Sequence, residues 1–110
     1  MIIIDEDKAM LILTIKRKWF DMILSGAKKE EYRDIKPYWR SRLYNEGFVD
    51  RYGLPVPWQA PVMFRNGYGR AASCFTALCS ADVRHGKPEW GAELHREYYV
   101  LKILKIINRK

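Results

Sequence analysis

The chain has 110 residues, of which 48% are hydrophobic and 14% aromatic, and a formal net charge of +7. This length suits a single domain, 1–110, and the apolar content excludes a disordered tail. A small basic domain favours an anionic partner, and nucleic acid is the commonest such partner, but charge alone does not separate RNA from DNA, an acidic protein or a membrane surface.

The sequence offers no segment that would direct the chain to a membrane. Ile2, Ile3 and Ile4 run straight into an acidic stretch, which is unlike a signal peptide. No apolar run is long enough to span a bilayer. We therefore expect a cytoplasmic chain with no membrane partner, whose oligomeric state the sequence leaves open.

The cysteines and histidines do not indicate a metal or a cofactor. Cys74 and Cys79 are five residues apart on a predicted strand, so their side chains point to opposite faces and cannot bridge without a bulge. We expect them to be free thiols in a reducing compartment. Together with His85 and His95 they make four potential zinc ligands, but the spacing matches no common zinc module.

The first half of the chain predicts strand, helix, strand and helix. The acidic segment 1–9 is expected to be partly ordered at best, and the apolar residues 10–15 predict a buried strand. Residues 16–24 predict a short helix with Trp19 on its apolar face, and Gly26 suits the position just past the helix end.

The charged segment after Gly26 predicts a partly exposed strand at the rim of a sheet or cleft, because neither of its faces is apolar. Pro37 is expected to open a second helix, whose Trp39 and Leu43 would face the core. Arg40 and Arg42 on this helix would point outward or toward a ligand.

The second half predicts strands separated by loops. Residues 47–61 form the longest predicted loop, which could cover a site or could be a decoration. Strands are predicted at 62–65, at 71–83 with an irregularity near Ser80, and at 98–107. The order of elements predicts an α+β domain with a curved, mostly antiparallel sheet that closes toward a barrel, with two helices at its side.

A cluster of charges of both signs follows Gly26. On a strand, Glu31 and Arg33 point to the same face, with Lys29 two residues earlier. A carboxylate between cations can fix an arginine fork that grips a phosphate or a base edge, or it can act as an acid or base beside a lysine. The alternative is a solvated pattern of surface charges.

The pattern Gly-x-Lys-x-x-Glu-x-Arg at Gly26, Lys28, Glu31 and Arg33 resembles the signature of the ASCH domain, the family named for its homology to the activating signal cointegrator. Residues 36–39, 64–69 and 88–91 are also similar to the short, single-domain ASCH proteins of bacteria and phages. The resemblance implies a PUA-like β-barrel and an RNA-binding function. A few small members resemble ribonucleases or an amidohydrolase that acts on acetylated cytidine.

The resemblance implies that Lys28, Glu31 and Arg33 form the functional site; a structural role in pinning the corner between helix and strand is the alternative. In an enzyme, Lys28 would be the nucleophile or base, and Glu31 the proton shuttle or the ligand of a cation. The amidohydrolase-like relatives have threonine where this chain has Glu31.

Two further groups are candidates for binding RNA. Lys16 and Lys18 lie where they oppose the helix dipole, so phosphate contact is one use for them and a solvated face is the other. Arg65, Asn66 and Tyr68 lie at a predicted tight turn and could read a base, although Asn66 also suits ordinary turn chemistry.

Trp19 is expected in the core and Trp90 is expected to plug one end of the barrel; stacking on a base is the alternative for both. A nucleic-acid-binding module, a small hydrolase acting on RNA or modified nucleosides, and a protein-interaction adaptor are the three functions that the sequence leaves open, with RNA or a nucleotide as the expected partner.

Overall fold

The computed structural model describes residues 10–109. The segment 1–9, for which partial order was expected, lies outside the described residues. The described elements are β1 Leu11–Ile15, α1 Arg17–Ser25, β2 Glu30–Arg33, α2 Pro37–Asn45, β3 Gln59–Asn66, β4 Cys74–His85, a short 3-10 helix Pro88–Trp90, and β5 Glu97–Arg109.

The five strands form one sheet in the order β1-β3-β4-β5-β2. The pairing of β1 with β3 is parallel, and the other three pairings are antiparallel. The sheet curls strongly into a half-barrel. Its two edge strands are β1 and β2. The predicted α+β domain with a curved, mostly antiparallel sheet and two helices is therefore confirmed.

The core lies inside the curl and forms because β3 and β4 bury alternate residues, as strands with one covered face do. The Phe75 ring lies 4.9 Å from that of Phe20 on α1 and 5.1 Å from that of Phe64 on β3. These aromatic contacts attach α1 to the concave side of the sheet.

The end of α1 and the start of α2 have the causes that the sequence indicates. Gly26 adopts a left-handed conformation with φ 87° and donates its N–H to Ile23 O at 3.1 Å, which ends α1. Pro37 occupies the first turn of α2, where a missing N–H costs nothing. Leu43 is buried as predicted, whereas Trp39 is only partly buried against the core.

β2 lies at an edge of the sheet as predicted, but the prediction that it is partly exposed is wrong. Glu30, Glu31 and Tyr32 are each no more than 8% exposed, although two of them carry charge. Burial is tolerated because each carboxylate has a cationic partner: Arg84 pairs with Glu30, and Arg33 pairs with Glu31.

The strand boundaries in the second half differ from those predicted. β3 begins at Gln59 and so takes residues 59–61 from the predicted loop. Pro61 is tolerated there because β1 begins to pair only at Val62, so the proline needs no partner on that side. The irregularities of β4 lie at Thr76/Ala77 and Leu78/Cys79, just before the predicted position near Ser80.

Candidate functional site

Residues 86–92, which we call the strap, cross over β2 and the residues before it. The Lys87 N–H donates to the Tyr32 hydroxyl at 2.9 Å, and Trp90 Nε1 donates to Ala27 O at 3.0 Å. Lys28 Nζ donates to Trp90 O. These three bonds attach the strap to the segment that contains the Gly-x-Lys-x-x-Glu-x-Arg motif.

Lys28 is held beneath the strap and its side chain has no exposed surface. Its Nζ lies 3.1 Å from Glu31 Oε1 and 4.7 Å from the centroid of the Trp19 ring system. Burial lowers the pKa of the Lys28 ammonium, while the Glu31 carboxylate acts in the opposite direction. The ammonium is therefore surrounded by a carboxylate, a carbonyl and an aromatic face.

Glu31 joins Lys28 to Arg33. Its Oε2 accepts a hydrogen bond from Arg33 Nη1 at 2.8 Å, and the same nitrogen donates to Tyr32 O at 2.7 Å. The Arg33 guanidinium also lies 5.1 Å from the Trp39 ring. The predicted charge triad thus exists, with its carboxylate between two cations.

A cleft of about 590 Å³ opens above Glu31 and Arg33. It lies between the two edge strands, because the curl of the sheet brings β1 and β2 to opposite sides of it. Its aromatic lining residues are Trp19, Tyr32, Tyr38, Trp39, Tyr68 and Trp90. Its charged lining residues are Lys16, Glu31, Arg33, Asp34 and Arg42.

One wall of the cleft comes from α2. Tyr38 and Trp39 meet edge to face with 4.9 Å between ring centroids. Arg42 donates to the Tyr38 hydroxyl at 3.1 Å and to Ile12 O on β1 at 3.4 Å. Arg42 therefore connects the helical wall to the opposite edge of the sheet.

The structure brings four of the predicted site residues to this cleft: Lys16, Glu31, Arg33 and Tyr68. Tyr68 is 87% exposed, so its ring is free to meet a ligand. Lys28 is not among the lining residues; it lies behind Glu31 and fixes it.

The other predicted binding residues lie elsewhere. The Lys18 ammonium lies 4.6 Å from the Trp19 ring system. Arg65 donates to Gly69 O at 2.9 Å, and Asn66 pairs with Ile15 at the end of β3, so both residues shape the turn and the strand end and neither lines the cleft.

Of the residues that α2 contributes to the cleft, the sequence indicated only Arg42, which was expected to point outward or toward a ligand, and missed the two aromatic residues. It assigned Trp39 to the core and left Tyr38 out, although Tyr38 and Arg42 are four apart and so share a helix face. The spacing of four residues between Tyr38 and Arg42 was the feature of the sequence that could have indicated a shared binding face. Trp19 and Trp90 likewise pack only partly and present surface to the cleft.

Within residues 10–109, no three histidine, cysteine or acidic side chains lie close enough together to hold a metal ion. In the same range, neither helix is long and apolar enough to cross a membrane. Comparisons of the chain with models of protein families, with curated proteins and with solved structures found no match.

Proposed function

We propose that the protein is an RNA-binding module whose cleft holds one unpaired nucleotide of single-stranded RNA. The observation that carries this proposal is the combination, in one open cleft, of exposed aromatic rings with arginine and lysine side chains. The resemblance to ASCH domains supports the same function.

The aromatic rings are suited to stacking on a base. Sequence-tolerant binding of single strands relies on aromatic side chains, and each stacked base contributes about 1–3 kcal/mol. Tyr38 is 57% exposed and Tyr68 is 87% exposed, and both line the cleft. Double-stranded RNA keeps its bases stacked on one another, so these rings favour an unpaired nucleotide.

The cations are placed to meet the phosphates that flank such a nucleotide. Lys16 is exposed at the start of α1, and Arg42 stands on α2. The net charge of +7 adds a long-range attraction for a polyanion.

Two tyrosines on α2 provide a matched test. Tyr38 and Tyr44 are exposed to a similar extent, at 57% and 52%, but only Tyr38 lines the cleft. Fluorescence anisotropy with a labelled single-stranded RNA should show binding that Tyr38→Ala weakens about tenfold, as expected for one lost stacking contact. Tyr44→Ala should bind like wild type. Wild type that binds no RNA would contradict the proposal.

A small hydrolase acting on RNA or modified nucleosides is the second candidate. It is favoured by the contact of Lys28 Nζ with Glu31 and by the burial that lowers the pKa of the lysine, since a neutral lysine is a base or nucleophile. The full burial of Lys28 argues against it, because a substrate would reach Nζ only after the strap moved.

Product analysis distinguishes the two candidates. The protein would be incubated with acetylated cytidine and with labelled RNA, with and without Mg²⁺ or Mn²⁺. A binding module should release no product. Product that disappears in both Lys28→Ala and Glu31→Ala would make the protein a hydrolase instead.

A further inference from the structure

We propose that the cleft selects guanine as the unpaired base, read by the side chains of Glu31 and Arg33. The inference rests on the proposed RNA-binding function and names its specificity. It starts from the distribution of charge in the cleft and from the hydrogen-bonding capacity that these two side chains retain.

The charges orient a nucleotide with its base inward. The Glu31 carboxylate lines the cleft with only 7% of its side chain exposed, and its oxygens accept hydrogen bonds, for which a base edge has donors and a phosphodiester has none. The cations of Lys16, at the start of α1, and Arg42, on α2, line the same cleft from elements other than the strand that contains Glu31. A nucleotide that meets both favourably places its phosphates at these cations and its base edge at Glu31.

Glu31 retains acceptor capacity on both oxygens. Oε1 contacts Lys28 Nζ and Oε2 accepts from Arg33 Nη1, which is one partner for each oxygen. A carboxylate oxygen accepts two hydrogen bonds, so each can take another donor. Two neighbouring N–H donors on a ligand would satisfy both oxygens at once.

Arg33 retains donors beside this carboxylate. Its hydrogen bonds to Glu31 and to Tyr32 O both use Nη1. Its Nη2 and Nε have no hydrogen-bond acceptor within residues 10–109. With 16% of its side chain exposed at the cleft, the guanidinium presents donors next to the two acceptors of Glu31.

Guanine matches this order of donors and acceptors. Its pairing edge presents a carbonyl oxygen, then the N1–H, then the N2 amino group. The carbonyl oxygen would accept from Arg33, and the N1–H and the amino group would each donate to one oxygen of Glu31. Adenine and cytosine offer one amino donor beside an acceptor nitrogen. Uracil sets two carbonyl oxygens on either side of its N–H, and at least one of them would face the carboxylate unfavourably.

The test uses five fluorescein-labelled heptamers of uridine that differ only in the central base, which is guanine, adenine, cytosine, uracil or hypoxanthine. Anisotropy titrations at one salt concentration would give a Kd for each. We expect the guanine heptamer to bind about tenfold tighter than the uracil heptamer, which is the discrimination expected from one bidentate contact with a base. Hypoxanthine, which lacks only the N2 amino group, should lose most of that advantage.

Two variants test whether Glu31 is the residue that recognises the base. Glu31→Gln replaces one acceptor oxygen with a donor and should reduce the preference for guanine to about threefold or less. Glu30→Gln is the matched control, because Glu30 is a buried carboxylate on the same strand that pairs with Arg84 and does not line the cleft. It should keep the preference.

The outcomes separate this inference from the proposed function. Equal binding of all five heptamers, or a preference that hypoxanthine retains in full, would overturn the guanine assignment while leaving RNA binding in place. Binding of none would overturn the proposed function as well. The hypoxanthine probe leaves the protein unchanged, so it decides the question even where Glu31→Gln unfolds the chain.

Discussion

At the residue scale, the site depends on a lysine that does not reach the cleft. Lys28 contributes its charge to Glu31 from behind and its N–H donors to the strap. A buried charge of this kind is costly unless it is paired, so Lys28 and Glu31 each offset the desolvation cost of the other. The orientation of the Glu31 carboxylate toward the cleft is the consequence.

We expect Lys28→Met to lower the free energy of unfolding by about 3 kcal/mol, because among the described side chains it leaves the buried Glu31 with only Arg33 as a cationic partner. The neighbouring Lys29 is exposed, and Lys29→Met should change stability by no more than about 0.5 kcal/mol. Urea titrations followed by tryptophan fluorescence measure both. Equal effects of the two substitutions would show that the ion pair with Glu31 contributes nothing.

Tyr32 predicts a dependence of stability on alkaline pH. Burial raises the pKa of its phenol above the usual 10, and its hydroxyl donates to Glu30 Oε1 at 2.7 Å. Because the folded state holds this proton more tightly than the unfolded state, the stability from Tyr32 is fully present below pH 10 and is lost as pH rises above 10.

Urea denaturation of wild type and Tyr32→Phe between pH 9 and 11 tests this dependence. The fall in unfolding free energy above pH 10 should be smaller in Tyr32→Phe than in wild type, and the exposed Tyr44→Phe serves as the control. The lowered pKa of Lys28 acts in the opposite direction in every variant and cancels in the comparison. Identical pH slopes in wild type and Tyr32→Phe would refute the assignment.

The sequence predicted that Lys28, Glu31 and Arg33 belong to the site, but it did not predict the role of each. Spacing on a strand places Glu31 and Arg33 on one face, and the structure pairs them at 2.8 Å. It could not predict that Lys28 would be buried, because that depends on the strap, whose Trp90 comes 62 residues later in the chain. Burial by a distant segment leaves no local signal.

At the element scale, the strap and α2 complete the site that β2 begins. Tight packing holds the strap down: a methyl group added at Gly86 would lie 2.5 Å from Ala92 Cβ and 2.9 Å from the Tyr32 ring. Local turn residues predicted the loop, but only the fold shows that it covers Lys28. The same applies to α2, whose start at Pro37 was predicted and whose two aromatic residues in the cleft were not.

Gly86→Ala should therefore destabilise the protein by about 1–3 kcal/mol through overpacking beneath the strap. Gly69→Ala is the matched control, because a methyl group there meets nothing within 4 Å, and its effect should be small. Thermal denaturation followed by circular dichroism measures both. A Gly86→Ala variant as stable as Gly69→Ala would mean that the strap is not packed against Tyr32.

At the scale of the whole molecule, the cleft exists because the sheet curls and its two edges come to face the same space. Composition and element order were enough to predict a curved sheet with two helices. The position of β2 at an edge of the sheet was predicted, but the parallel pairing of β1 with β3 and the pairing of β2 with β5 were not, because they are long-range pairings that the local pattern of each strand does not encode.

The measurement that tests RNA binding in the cleft most directly compares the salt dependence of binding for two arginines on α2. Arg42 lines the cleft, whereas Arg40 is exposed and does not. For single strands the slope of log K against log salt is about −0.7 for each neutralised phosphate. With Lys16 and Arg42 each contacting one phosphate, wild type should show a slope of about −1.4 or steeper.

Arg42→Ala should weaken binding of a labelled single-stranded RNA and reduce the steepness of this slope by about 0.7, while Arg40→Ala should match wild type. The predicted result places one phosphate at the cleft wall. Equal slopes in Arg42→Ala and wild type, or an equal loss in both variants, would rule out binding in the cleft, because the RNA would then be bound by the general positive charge of the protein.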